Sequence, residues 1–105
     1  MDIEAFRNSL AQEAPADGLS LALQALWWGA KPDWERAHAA AQQDEGNSAC
    51  DWVHAYLHRI EGDEGNARTW YRRARQPWPV QPPEQEWTAI VEVLLQDGPV
   101  APASK

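Results

Sequence analysis

Residues 52–74 read WVHAYLHRIEGDEGNARTWYRRA. At 100° per residue, Ala49, Trp52, Val53, Tyr56, Leu57 and Ile60 fall on one side of a helix, and Asp51, His54, His58 and Glu61 on the other. The pattern predicts an amphipathic helix, with Ser48 and Asp51 spaced as a short capping box at its start. Gly62 stops it, because glycine is free to turn left-handed past a helix end. Asp63 is placed to cap a second helix, and Glu64 adds negative charge at the positive end of its dipole. That helix carries Ala67, Trp70, Tyr71 and Ala74 on an apolar face and Arg68, Arg72, Arg73 and Arg75 on the opposite one. Two helices joined by so short a turn fold back on each other as a hairpin.

The spacing of Ala67, Tyr71 and Ala74, small residues either side of an aromatic, resembles the second helix of a tetratricopeptide (TPR/Sel1-like) repeat, and the Gly62-Asp63 turn resembles that repeat's interhelix turn. A degenerate copy lies upstream in KPDWERAHAAA, residues 31–41, where Ala37 precedes Ala67 by thirty positions. The copy departs from the repeat: the period is shorter, Ala41 stands where an aromatic belongs, and Asp44 replaces the last alanine. The strings LWWGAKPDWERAH, WVHAYLHRIEGDEGNARTWYRRA and EQEWTAIVE also resemble a group of short, Trp-rich, uncharacterised bacterial proteins. That likeness covers roughly residues 19–95, implies a compact helical protein and carries no activity with it.

Outside the hairpin, Ile3, Phe6, Leu10 and Ala14 define a narrow stripe on a first helix from Asp2 to about Glu13, ended by Pro15. Asp17 is read as the cap of a second helix, roughly Leu19–Trp28, which is apolar nearly all round and so central. Gly29 closes it. Pro32 suits the first turn of a third helix, which turns Trp34, Ala37 and Ala41 inward. After Arg75 the prolines of QPWPVQPP forbid helix and favour an extended strap. Pro83, Glu84 and Glu86 then start a last helix with Trp87, Ile90, Val91 and Leu94 on its apolar side. The expected architecture is all-α with about six helices in one domain, residues 1–97. It has two TPR-like antiparallel hairpins, about 17–43 and about 48–75, a proline strap at 76–83, a last helix at about 84–96, and a disordered tail at 98–105.

A chain of 105 residues suits one core. One cysteine excludes an internal disulfide framework, and no apolar run approaches the roughly 18 residues needed to span a membrane. The N-terminus lacks the basic-then-apolar layout of a signal peptide, so a cytoplasmic location is expected. A net charge of −7 argues against nucleic acid as a general partner. Cys50 sits at the edge of the apolar stripe, and neither a Gly-x-Ser-x-Gly elbow nor a phosphate-binding glycine loop is present, so catalysis has little support.

Three sets of residues are candidates for function. Five of the nine basic residues, Arg59, Arg68, Arg72, Arg73 and Arg75, lie in the central hairpin; they read either as a solvated face or as a site for an acidic peptide or phosphorylated group. Trp27, Trp52, Trp70 and Trp87 read as core, whereas Trp28, Trp34 and Trp78 are open to a partner as well as to packing. His54 and His58, at i and i+4 beside Asp51 and Glu61, read as a polar face, as a recognition surface or as two weak metal-ligand candidates. Because the first helix of a TPR hairpin lines the concave side, the resemblance places Asp51, His54 and His58 there. The expectation is a non-catalytic protein-interaction or adaptor module without cofactor. Its groove would be lined by Asp51, His54 and His58, with Arg59, Arg68 and Arg72 nearby, and would take a protein or peptide segment. The alternatives are a small metal-binding protein or enzyme using the His54/His58 face, and a self-associating scaffold, a homo-oligomer built through exposed tryptophans.

Overall fold

The computed structural model describes residues 1–97, so the disordered tail expected at 98–105 lies outside the described residues. Within them the chain forms six helices and no strand: α1 (Ile3–Ser9), α2 (Leu21–Ala30), α3 (Trp34–Gln42), α4 (Ser48–Glu61), α5 (Glu64–Ala74) and α6 (Pro83–Asp97). The all-α expectation holds. None of the described helices is long and apolar enough to cross a membrane.

Helix α4 is the axis. It packs against α2, α3, α5 and α6, and this position decides what happens to its polar face. The Asn47 side chain caps it by accepting from the Cys50 amide at 3.0 Å, while Asp51 accepts from the Gly46 amide at 3.1 Å. The cap is therefore Asn47, and the expected Ser48/Asp51 box is replaced by this pair. At the other end Gly62 adopts φ 92°, and the amides of Gly62 and Asp63 donate to the carbonyls of Arg59 (3.1 Å) and His58 (2.9 Å). These bonds satisfy the last carbonyls of α4 and turn the chain directly into α5, whose Asp63 cap accepts from the Asn66 amide.

The N-terminal region differs from the sequence expectation in its boundaries. Helix α1 stops at Ser9, because Ser9 Oγ donates to the Phe6 carbonyl (2.6 Å) and Lys31 Nζ donates to the carbonyls of Leu10 (2.7 Å) and Gln12 (3.0 Å). A lysine from α2's end thus terminates α1. Helix α2 is capped by Ser20 rather than Asp17, and α3 by Asp33, with Pro32 lying before the cap.

Two apolar clusters result. The larger joins Phe6, Leu26, Trp27, Val53, Leu57, Ile90 and Val91 from α1, α2, α4 and α6. Trp27 and Trp87 are buried and each indole N–H is satisfied, by Ser9 Oγ at 3.0 Å and by the Leu26 carbonyl at 2.9 Å. Each such side chain contributes roughly 4–6 kcal/mol from about 150–250 Å² removed from water. The smaller cluster joins Ala55, Ala67, Trp70 and Tyr71, with Trp52 and Trp78 half-buried against it. Ile60, expected on the apolar stripe, is exposed near the end of α4. The strap over residues 76–82 lies on the smaller cluster. Trp78 meets Tyr71 edge-on at 5.3 Å, and Arg59 Nη2 donates to the Gln81 carbonyl at 2.8 Å.

Candidate functional site

Because α4 is covered on both sides, its polar face is not a solvent-facing groove. Asp51, His54 and His58 are buried. This corrects the expectation of an open concave surface lined by those three: α3 closes over one flank and α5 over the other. Arg59, expected beside the groove, is half-buried and turned the other way, with Nη1 donating to Glu86 Oε1 at 2.7 Å. Tyr71 Oη donates to the second oxygen of the same buried carboxylate at 2.5 Å. Arg68 and Arg72 are exposed on α5, Arg68 pairing with Glu64 at 2.6 Å and lying 4.6 Å from the centre of the Trp78 ring.

Closure of the face brings together three imidazoles, all the histidines the chain has. His38 comes from α3, and His54 and His58 from successive turns of α4. Each offers a ring nitrogen, and the three nitrogens lie within 4.8 Å of one another. His38 Nε2 and His54 Nε2 face each other at 2.9 Å. His58 Nδ1 meets Glu61 Oε2 at 2.8 Å, so it donates to that carboxylate and leaves the Nε2 lone pair free. Indoles wall the cluster. Trp34 stacks on His38 with centroids 4.5 Å apart, and Trp70 stacks on His54 at 3.8 Å. The Trp34 N–H donates to the Leu57 carbonyl at 2.9 Å, which fixes that wall to α4. Arg73 lies 4.2 Å from the centre of the Trp70 ring.

The electrostatics keep His38 and His54 neutral. Burial, then His38, His58 and Arg73, pushes His54 down to about 4. Burial, then His58, lowers His38 as well. Neutral imidazole is the form that ligates a metal. Cys50 is inert by comparison, since burial and the nearby Asp44 and Asp51 raise its thiol to about 11.

One fully buried polar atom of the cluster, His54 Nδ1, has no hydrogen-bond partner among the described residues. Whichever tautomer His54 adopts, either a lone pair or an N–H is stranded there at a cost of about 1–3 kcal/mol. As a mere core side chain, His54 is therefore worse than a hydrocarbon of its size. A metal held by His54 Nε2 leaves Nδ1 unpaired as before, so the case for a ligand rests on the converging ring nitrogens. Two nitrogens bound to one tetrahedral zinc at about 2.0–2.1 Å stand about 3.3 Å apart, so His38 and His54 need to open by only a few tenths of an ångström. Glu61 on His58 is the carboxylate support that metal-ligating histidines commonly have. A cleft of about 440 Å³ between α2, α4 and α6 shares no residue with this cluster.

His38 was not among the residues singled out from sequence. A usable signal existed, because Trp34–His38 and His54–His58 are both i, i+4 pairs on neighbouring helices, and hairpin packing can set two such pairs face to face. Trp34, considered for a partner surface, instead forms a wall of the cluster. Trp28 is half-buried, edge-on to Trp27 at 4.9 Å and 4.6 Å beneath Arg36; Trp78, part of the strap, is half-buried against Tyr71. Comparison with protein-family models, with curated proteins and with solved structures returns no match.

Proposed function

We propose that the protein binds a divalent transition metal, of which zinc is the natural probe, through His38, His54 and His58. The observation that carries the reading is the convergence of the chain's three histidines around mutually facing nitrogens inside an aromatic box. Imidazole nitrogen suits zinc, copper and nickel, and three protein ligands leave one position for water or a small ligand. The indole walls exclude water and so strengthen each metal–nitrogen interaction.

Titration of chelator-treated protein with zinc, followed by tryptophan fluorescence and calorimetry, is expected to give one ion per chain. His38→Ala is expected to weaken binding by more than the roughly 10–100-fold that loss of a supporting contact causes. His54→Leu separates function from stability. It abolishes binding yet stabilises the metal-free fold by about 1 kcal/mol, since it removes the stranded Nδ1. If zinc binds neither variant differently from the wild type, the proposal fails.

A second reading rests on the exposed Arg68, Arg72 and Arg73 of α5, which suit an acidic peptide of a protein partner. Arg68→Glu with Arg72→Glu would abolish capture of such a peptide while leaving zinc affinity unchanged. Equal capture by both forms would dismiss this reading.

A further inference from the structure

We infer that the outer edge of His58, with Glu61 and Asp63, forms a second cation position through which a divalent metal reaches the inner histidines; this rests on the metal-binding reading above. His58, Glu61 and Asp63 offer ligand atoms that also lie within 4.8 Å of one another. An imidazole carries its two nitrogens on different edges. On His58 the Nδ1 edge faces Glu61, which assigns that edge to the outer group and Nε2 to the inner one.

The two positions differ in access and in chemistry. In the inner cluster His54 and His58 are buried and His38 is half-buried between the Trp34 and Trp70 walls, whereas in the outer group Glu61 is exposed and Asp63 half-exposed. Asp63 is also held in place. Its Oδ1 accepts from the Asn66 amide at 3.2 Å and its Oδ2 from Asn66 Nδ2 at 2.8 Å, leaving lone pairs on both oxygens. Two carboxylates attract a hydrated dication and replace part of its water, while imidazole nitrogens are the better donors for zinc. The outer group therefore captures, and the inner group retains.

A neutral His58 cannot serve both positions at once. An ion on Nδ1 requires the proton on Nε2; an ion on Nε2 requires the proton on Nδ1, where Glu61 accepts it. Transfer inward moves that proton from one nitrogen to the other, and no net proton is gained or lost. Glu61 acts first as a ligand and then as the partner that holds the ring in its ligating tautomer.

The test is stopped-flow tryptophan fluorescence of the full chain mixed with zinc at low ionic strength. Asp63→Asn preserves the cap, because asparagine serves there as well as aspartate. Glu64→Gln removes an equal charge one residue away and controls for long-range attraction. The expected result is a fall of about tenfold in the association rate for Asp63→Asn. A parallel fall in the dissociation rate keeps the dissociation constant within about threefold. Glu64→Gln stays close to wild type. An equal loss of rate in both variants reduces the effect to steering and overturns the outer position, as does a wild-type rate in Asp63→Asn; the inner site stands in either case. Absence of any zinc signal in the wild type fails the metal-binding reading itself.

Discussion

Arg59→Ala is expected to destabilise the protein by about 3–5 kcal/mol, the cost of stranding a buried carboxylate. Glu86 is 3% exposed, and its two oxygens are satisfied by Arg59 and Tyr71 and by no other side chain among the described residues. Arg59 also donates to the Gln81 carbonyl, so the same guanidinium ties α4 to both α6 and the strap. Its removal leaves Glu86 charged and half-paired in a low-dielectric interior. The effect belongs to breaking the network and not to the network's net worth. Arg59→Met combined with Glu86→Leu and Tyr71→Phe is therefore expected to recover most of the loss, since the matched apolar groups leave only the half-buried Gln81 carbonyl without its donor. Urea unfolding of the single and triple variants checks this. A loss below about 1 kcal/mol for Arg59→Ala would show that Glu86 finds water or another donor.

Acid is expected to cost the metal-free protein about 3 kcal/mol between neutral pH and pH 4 through His54 alone. The sign follows from where the proton binds first. His54 lies at about 4 in the folded chain, against 6.5 as its ordinary value. Below 6.5 the unfolded chain takes up the proton and the folded one does not, so protonation pulls the equilibrium toward unfolding. The stabilisation is complete above the ordinary value, is lost progressively as pH falls, and stops changing below about 4. His38, also lowered, adds to the slope in the same direction. Denaturant midpoints at pH 7.5 and 4.5, in the presence of chelator, measure the effect. The His54→Leu variant is expected to lose most of this dependence while wild type keeps it; superimposable pH profiles would contradict the buried, neutral imidazole.

Local chemistry was legible in the sequence, and tertiary cover was not. Gly62 and Asp63 announced the turn, and Ala67, Trp70, Tyr71 and Ala74 announced the buried side of α5, because each depends on contacts within a few residues. The polar face of α4 misled for the opposite reason. Periodicity separates two sides of a helix but cannot say that both are covered, and α4 is the element on which four others pack. Phase marks Asp51, His54 and His58 as a polar face and the repeat resemblance puts them on an open concave side, but a buried face with internal partners has the same phase. His38 escaped notice because its segment, WERAHAAA, looks like a surface helix with a single apolar line. Only the docking of α3 on α4 makes it the third member of a cluster. Glu86 illustrates the same point, since it begins α6 as a first-turn acid in sequence and ends as the buried partner of Arg59 and Tyr71.

The central claim is that three imidazoles close on one ion, and cobalt tests it most directly, because cobalt takes zinc sites and reports its ligands. Chelator-treated protein titrated with cobalt is expected to develop the intense visible absorption of a four-coordinate centre, saturating at one ion per chain. X-ray absorption of the zinc form is expected to show nitrogen or oxygen neighbours at about 2.0–2.1 Å, with more distant outer-shell scattering that fits three imidazole rings. Weak absorption of the six-coordinate, water-rich kind, unchanged by His38→Ala, would contradict the account and return the three histidines to the role of core side chains.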